Sequence, residues 1–191
     1  PGFPTRFQLR PYQRQSLAFM LNIEASDDYL LTGRPSSTGR SGVNEVRGGW
    51  LADEMGMGKT AVCAALMLAS KARLWRGLTV VLCNNTLVGQ WMDEINKFAP
   101  GLQVARYYGT KHPVDSRTDV VVTTPNTKPS PMITSRARRL IIDESHLYEP
   151  RSDPKLPSTR VFADYVPHVS YIWCVTGSPM SHSLGQLEGQ T

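Results

Sequence analysis

Cysteine is scarce in this chain: three in 191 residues, Cys63, Cys83 and Cys174, each inside an apolar run and none in a Cys-x-x-Cys pair. That excludes a disulfide framework and a cysteine-based zinc site, and leads us to expect reduced core thiols in an intracellular compartment. No stretch approaches the ~18 consecutive apolar residues of a membrane span. The beginning of the sequence lacks the charged-then-apolar order of a signal peptide, so we expect a soluble protein with no membrane partner. An Asn-Lys-x-Asp base-reading motif is missing as well, since "NKFA" at 96–99 lacks the aspartate, which disfavours a guanine-nucleotide switch. Charge of one sign is not extreme: the net value is +5. A polyanionic partner is compatible with that excess, but the excess is too small to establish one.

What is present is 40% apolar content, enough for one domain with a core. Residues 9–22, "LRPYQRQSLAFMLN", place Tyr12, Leu17, Met20 and Leu21 at helical spacing, with Pro11 suited to a first helical turn. The segment 23–48 is rich in Ser, Gly, Thr and Arg and reads as a long surface insertion. Beyond it, "TVVLC" (79–83), "DVVV" (119–122), "LII" (140–142) and "YIWCV" (171–175) are short, nearly continuous apolar runs, as parallel strands covered on both faces require. Between them, "TAVCAALMLASK" (60–71) and "TLVGQWMDEINKF" (86–98) have helix-forming composition. The expected fold is α/β, a mainly parallel sheet with helices on both faces. There is no internal repeat.

The stretch "GGWLADEMGMGKTAVCAA" (48–65) reads as a buried strand, a glycine-rich turn and a helix opening on Lys59 and Thr60. The strict phosphate-loop pattern G-x-x-x-x-G-K-[ST] fails, because Asp53 stands where the first glycine should be. Gly56-Met57-Gly58-Lys59-Thr60 nevertheless keeps the physics: glycines let backbone N–H groups approach phosphate oxygens, and a helix N-terminus adds positive potential. Lys59 would neutralise the β- and γ-phosphates of a nucleoside triphosphate, and the Thr60 hydroxyl would ligate Mg²⁺. The alternative is a plain glycine-rich turn, which leaves the adjacent lysine and hydroxyl unexplained. A carboxylate on another strand is also needed. "RRLIIDESH" supplies it, with Asp143 at the carboxyl end of a strand to bind Mg²⁺ and Glu144 to polarise the attacking water.

Taken in order, these segments resemble the first RecA-like lobe of a superfamily-two helicase-like ATPase of the Swi/Snf, chromatin-remodelling type, over about residues 9–190. "LRPYQ" is similar to the adenine-reading motif, which implies Gln13 at the adenine edge with Arg10 and Tyr12 beside it. "LADEMGMGKT" resembles the family's own phosphate loop, in which an acidic residue at Asp53 is usual. "NNTLVGQWMDEI" and "TTPNT" are similar to segments that contact the DNA backbone, which implies Thr86, Gln90, Thr123 and Thr124 as phosphate contacts. "DESH" resembles the Asp-Glu-x-His box and "VTGSPM" the Thr-Gly-Thr-Pro motif, which implies His146, Thr176, Gly177 and Ser178 as residues that couple nucleotide state to DNA grip. The insertion together with "GGWLADEMGMGKT" looks most like the branch of DNA-repair translocases carrying a RING insert. Departures are Arg14-Gln15-Ser16, where the family commonly has a glycine, Ser178 for threonine, and Met180-Ser181-His182 for Ile-Gln-Asn.

The resemblance implies double-stranded DNA as partner, with nucleosomes or other DNA-bound protein beyond it, and a nuclear location. Residues 1–191 would then be one ATP-binding lobe, the second lobe and its arginine motif being absent, so that the chain hydrolyses ATP slowly until a second RecA-like lobe closes over it. Two other classes stay open: an RNA helicase lobe, which commonly carries Ser-Ala-Thr where this chain has Thr176-Gly177-Ser178, and a non-catalytic, nucleotide-gated scaffold. Simpler readings also stand beside the DNA contacts: Thr86 as a helix cap, Thr123-Thr124 as a turn before Pro125, Trp91 as core, and "RARR" (136–139) as a solvated loop.

Overall fold

The computed structural model describes residues 7–25, 46–72, 77–108, 114–147 and 164–177. Six strands form one sheet, in the order β1 (Arg47–Leu51), β6 (Tyr171–Val175), β5 (Ala137–Asp143), β2 (Leu78–Leu82), β4 (Val120–Thr123), β3 (Val104–Tyr107), and every neighbouring pair is parallel. Among the described residues four α-helices accompany it: α1 (Pro11–Ala25), α2 (Lys59–Ala72), α3 (Val88–Phe98) and α4 (Pro131–Arg136).

Strand side chains alternate between two apolar layers, as period-two geometry demands. Val81, Ile141 and Trp173 face one layer, shared with Met20 of α1, Leu66 of α2 and Ile95 of α3. Val80, Leu82, Leu140 and Ile142 face the other, built with Ile133 of α4, Tyr165 and Val169. β2 and β4 are buried along their whole length because both faces are covered, which is why they read as unbroken apolar runs. α2 is buried from Ala61 to Leu68 and sits centrally, as its apolar composition indicates.

Several boundaries differ from the expectation. α1 continues to Ala25 and β1 begins at Arg47, so residues 23–25 and 47–48 of the expected insertion belong to the fold; residues 26–45 lie outside the described residues. β1 is not a fully buried strand: only Leu51 is buried, since among the described residues β1 is an edge of the sheet. Its glycine is required there. Gly48 has φ +156°, and a Cβ would lie 1.6 Å from the carbonyl oxygen of Ile172 on β6, an impossible contact.

"RARR" is not a solvated loop. Residues 137–139 open β5, and the Arg139 side chain is 1% exposed. It donates from Nε to Glu24 Oε1 on α1 at 2.6 Å and from Nη2 to Glu24 Oε2, and it also donates to Ser70 Oγ on α2 (2.7 Å) and Thr79 Oγ1 on β2 (3.2 Å). Trp173 Nε1 joins them, donating to Glu24 at 2.9 Å. Arg136 donates to the carbonyls of Asp115 and Thr118. A buried charge needs such partners, because desolvating it without them is prohibitive.

Candidate nucleotide site

Parallel register puts the chemically marked residues on one edge. Leu51 of β1 pairs with Val175 of β6, and Val175 pairs with Asp143 of β5. The phosphate loop, the acidic pair and Thr176-Gly177 therefore all leave the carboxyl ends of three adjacent strands, spaced about 4.8 Å apart. That is the edge at which open α/β sheets bind ligands.

After Leu51 the chain turns through Met55–Met57, with Gly56 at φ +80° and Gly58 at φ +77°. These left-handed positions suit glycine, and a Cβ on Gly58 would strike Gln13 Nε2 at 2.6 Å. α2 then opens with Ala61 N and Val62 N bonded to the Gly58 carbonyl, so the amides ahead of them belong to the helix N-terminus. Lys59 Nζ donates across the loop to the carbonyls of Asp53 (2.7 Å) and Glu54 (3.1 Å). A Cβ on Gly177 would lie 3.6 Å from Lys59 Nζ and 2.9 Å from Met55 Cγ, so the segment after β6 rests against the phosphate loop.

α1 clasps the same loop. Gln13 is buried, its Nε2 donates to the Met57 carbonyl at 2.9 Å, and its Oε1 accepts from Arg10 N at 2.9 Å. Tyr12 OH donates to the Met57 carbonyl at 3.2 Å, and Ser16 Oγ donates to the Tyr12 carbonyl and approaches Asp53 Oδ2 at 3.5 Å. Ser16, one of the departures from the family pattern, thus reaches the acidic residue of the loop.

Asp143 is held at both oxygens: Oδ2 accepts from Trp91 Nε1 at 2.6 Å and Oδ1 from Glu144 N at 3.1 Å. Burial pushes its carboxyl above the ordinary range, opposed by the Trp91 hydrogen bond and reinforced by the charge of Glu144. Glu144 adopts φ +48°, which turns the chain sharply at the strand end. Its Oε2 accepts from Thr176 Oγ1 at 3.3 Å and lies 3.3 Å from His146 Nδ1, while His146 Nδ1 and Thr176 Oγ1 are 2.8 Å apart. Three of the expected coupling residues, His146, Thr176 and Gly177, are therefore in the site; Ser178 lies outside the described residues.

Four residues were expected to touch DNA, and the structure divides them. Thr86 and Gln90 are exposed at the start of the α3 segment, and the cap before it is Asn84, whose side chain accepts from Thr86 N. Thr123 and Thr124 are buried: Thr123 Oγ1 donates to the Tyr107 carbonyl, and Thr124 Oγ1 is 2.8 Å from Thr127 Oγ1. Their hydroxyls are occupied within the lobe, while Asn126 and Lys128 in the same loop are exposed. Trp91 is core, as read, but its bond to Asp143 was missed. A tryptophan on the inner face of a helix whose N–H requires a partner was the available signal.

The SNF2-related domain family matches residues 12–189. The chain belongs to this family. The Arabidopsis thaliana "DNA repair protein RAD5A" is 26% identical over 272 residues, covering 94% of this chain and 26% of that protein. A Debaryomyces hansenii "Helicase SWR1" is 35% identical over 107 residues, covering 55% of this chain and 5% of that protein. This SNF2-related chain thus spans about a quarter of the first relative and less of the second. Among solved structures, the "Sulfolobus solfataricus SWI2/SNF2 ATPase core in complex with dsDNA" superimposes with a TM-score of 0.69 at 19% identity, over 98% of this chain and 36% of that one. That likeness bears on the fold, which is the expected RecA-like α/β sheet. No helix among the described residues is long and apolar enough to cross a membrane.

Proposed function

We propose that this SNF2-related domain is the ATP-binding lobe of a DNA-dependent translocase that hydrolyses ATP with Mg²⁺ when a second RecA-like lobe joins it. One observation carries the reading: the Lys59 loop, the Asp143-Glu144 tip and Thr176-Gly177 converge at the carboxyl ends of β1, β5 and β6. In this reading the α2 N-terminus and the Gly56–Gly58 amides hold the phosphates, and Lys59 exchanges its carbonyl partners for phosphate oxygens. Gln13 keeps the loop attached to α1 and offers its second N–H to the adenine edge, with Arg10 exposed nearby.

The donor set fits magnesium. Among the described residues no group of three His, Cys, Asp or Glu could hold a metal by itself. Magnesium in such sites is bound through one or two carboxylates, with phosphates and water completing the octahedron. Asp143, fixed at both oxygens yet with lone pairs to spare, and the Thr60 hydroxyl suit that role. When bound, the metal neutralises charge on the phosphates. Glu144 orients the attacking water, and its contacts with His146 and Thr176 tie that carboxylate to the segment after β6.

DNA is proposed as the partner from the family and from the relatives' names, with Thr86 and Gln90 as backbone contacts on this lobe. Nucleosomes or other DNA-bound proteins as substrate, a nuclear location, and a place in the RING-containing repair branch extend the same reading. The isolated chain is expected to turn over slowly, because a stabilising arginine supplied by another lobe is worth roughly 10³–10⁵ in rate. The test is ATP turnover by the full-length protein with duplex DNA, RNA or neither. We expect stimulation by duplex DNA and its loss in Lys59→Ala; stimulation by RNA alone, or turnover indifferent to Lys59→Ala, would overturn the reading.

A further inference from the structure

α3 has two working faces. Val88, Trp91 and Ile95 are buried at helical spacing against the sheet, while Gly89, Gln90 and Asp93 are exposed, as is Thr86 in the turn just ahead of the helix. The inner face would need only apolar side chains to pack. It nevertheless carries an indole whose body is 3% exposed and whose N–H ends on Asp143, 52 residues later. A buried indole N–H finds a partner as a rule, but here the partner is the carboxylate at the carboxyl end of β5, not a backbone carbonyl. At 2.6 Å the contact is of the short, charge-assisted kind.

From this geometry we infer that Trp91 is a positioning residue for Asp143, one that fixes which lone pairs of the carboxylate face the metal–nucleotide and links α3 to that orientation. The inference rests on the nucleotide-site reading above. Asp143 sits on the last residue of its strand, where the chain reverses at Glu144, so the backbone alone fixes it weakly. The Glu144 amide holds Oδ1 from the following residue and Trp91 holds Oδ2 from a different element. Rotation of the carboxylate about its Cβ–Cγ bond would break both contacts. Partners behind a metal ligand commonly contribute 10–100-fold in metal affinity. Because the outer face of the same helix bears Gln90, a load on that face would reach Asp143 through one rigid side chain.

The test is made on the full-length protein with ADP and Mg²⁺ as probes. Calorimetry measures ADP affinity in EDTA, then Mg²⁺ titrated into the protein–ADP complex, for the unmutated protein and Trp91→Phe. We expect ADP affinity in EDTA to stay within about twofold and Mg²⁺ affinity to fall about tenfold or more. Mg²⁺ affinity within twofold of the unmutated protein would overturn the inference. So would an equal loss of ADP affinity in EDTA, which is the signature of a general packing role. Should Trp91→Phe not fold, β-(3-benzothienyl)alanine at position 91 keeps the bicyclic shape without the N–H and carries the same expectations. If Mg²⁺ does not tighten ADP binding even in the unmutated protein, the nucleotide-site reading itself fails and this inference falls with it.

Discussion

Removing the carboxylate of Glu24 is the sharpest test of how this lobe is held together. Glu24 lies on α1, the helix whose first turn carries Gln13 and Tyr12 onto the phosphate loop. In Glu24→Ala the Arg139 guanidinium loses two charge-assisted hydrogen bonds and the Trp173 N–H loses its acceptor. The bonds to Ser70 and Thr79 are to neutral hydroxyls. Breaking a buried pair from one side typically costs about 3–5 kcal/mol, because the remaining charge stays desolvated with fewer compensating bonds. In a chain of this size each kcal/mol moves the melting midpoint by about 2–4 °C, so a fall of roughly 6–20 °C is expected. Urea unfolding followed by far-UV circular dichroism gives the free energy independently of heat. The control is Glu24→Met combined with Arg139→Met, which removes both charges. Apolar replacement of a whole buried pair is often neutral or stabilising, so the double variant should recover most of the loss. A single variant within about 1 kcal/mol of the unmutated chain would refute the reasoning, since an exposed or water-bridged pair is worth no more.

Two further outcomes follow from the buried ionisable groups. Burial pushes the Cys63 and Cys83 thiols up to about 12 and Cys174 up to about 11, so at pH 8 the thiolate fraction is roughly one part in a thousand or less; alkylation by iodoacetamide should be negligible in the folded chain and stoichiometric in urea, and rapid labelling of native protein would contradict the packing of α2, β2 and β6. Asp143→Asn should abolish the turnover proposed above, and in EDTA its stability reflects two opposed effects: the lost charge relieves the cost of burying a carboxylate, while the amide NH₂ must face one of the two N–H donors, Trp91 Nε1 or Glu144 N, that the carboxylate accepts. Only the first effect depends on pH: a carboxyl whose folded pKa is raised destabilises the fold above that value and not below the unfolded one, so the variant's midpoint relative to the unmutated chain should fall as pH falls through the ordinary carboxylate range. A difference in midpoint that does not change with pH would contradict the burial of this carboxyl.

What the sequence made legible is what lies close along the chain. The Gly56–Thr60 loop is local chemistry, and the continuous apolar runs of β2, β4 and β6 follow from burial on both faces. β3 and α4 carried no such signal: "VARY" is four half-buried or exposed residues at the other sheet edge, and "PMITSR" is under two turns with one buried side chain. Arg139 was misread because the group that accounts for it, Glu24, is 115 residues away and gives no local trace. Thr123 and Thr124 show how a long-range partner escapes local reading. A hydroxyl at a strand end is placed well for phosphate, yet the carbonyl of Tyr107 on a strand that the sequence did not reveal had already claimed one of them.

The placement of Arg139 and Asp143 on one strand follows from a single geometric fact. Side chains on β5 alternate, so Arg139, Ile141 and Asp143 share a face and Leu140 and Ile142 take the other. The first face looks onto α1, α2 and α3, and so its two charged members find their partners there: Glu24 on α1 and Ser70 on α2 for Arg139, Trp91 on α3 for Asp143. Ile141 between them packs into the core, leaving the charges about 13 Å apart at roughly 3.3 Å per residue. A slip of one residue against β2 and β6 would swing both charges into the apolar layer of Leu82 and Ile133, stranding a guanidinium and a carboxylate together. The buried pair at one end of the strand therefore penalises any register in which the acidic tip at the other end would miss the phosphate loop.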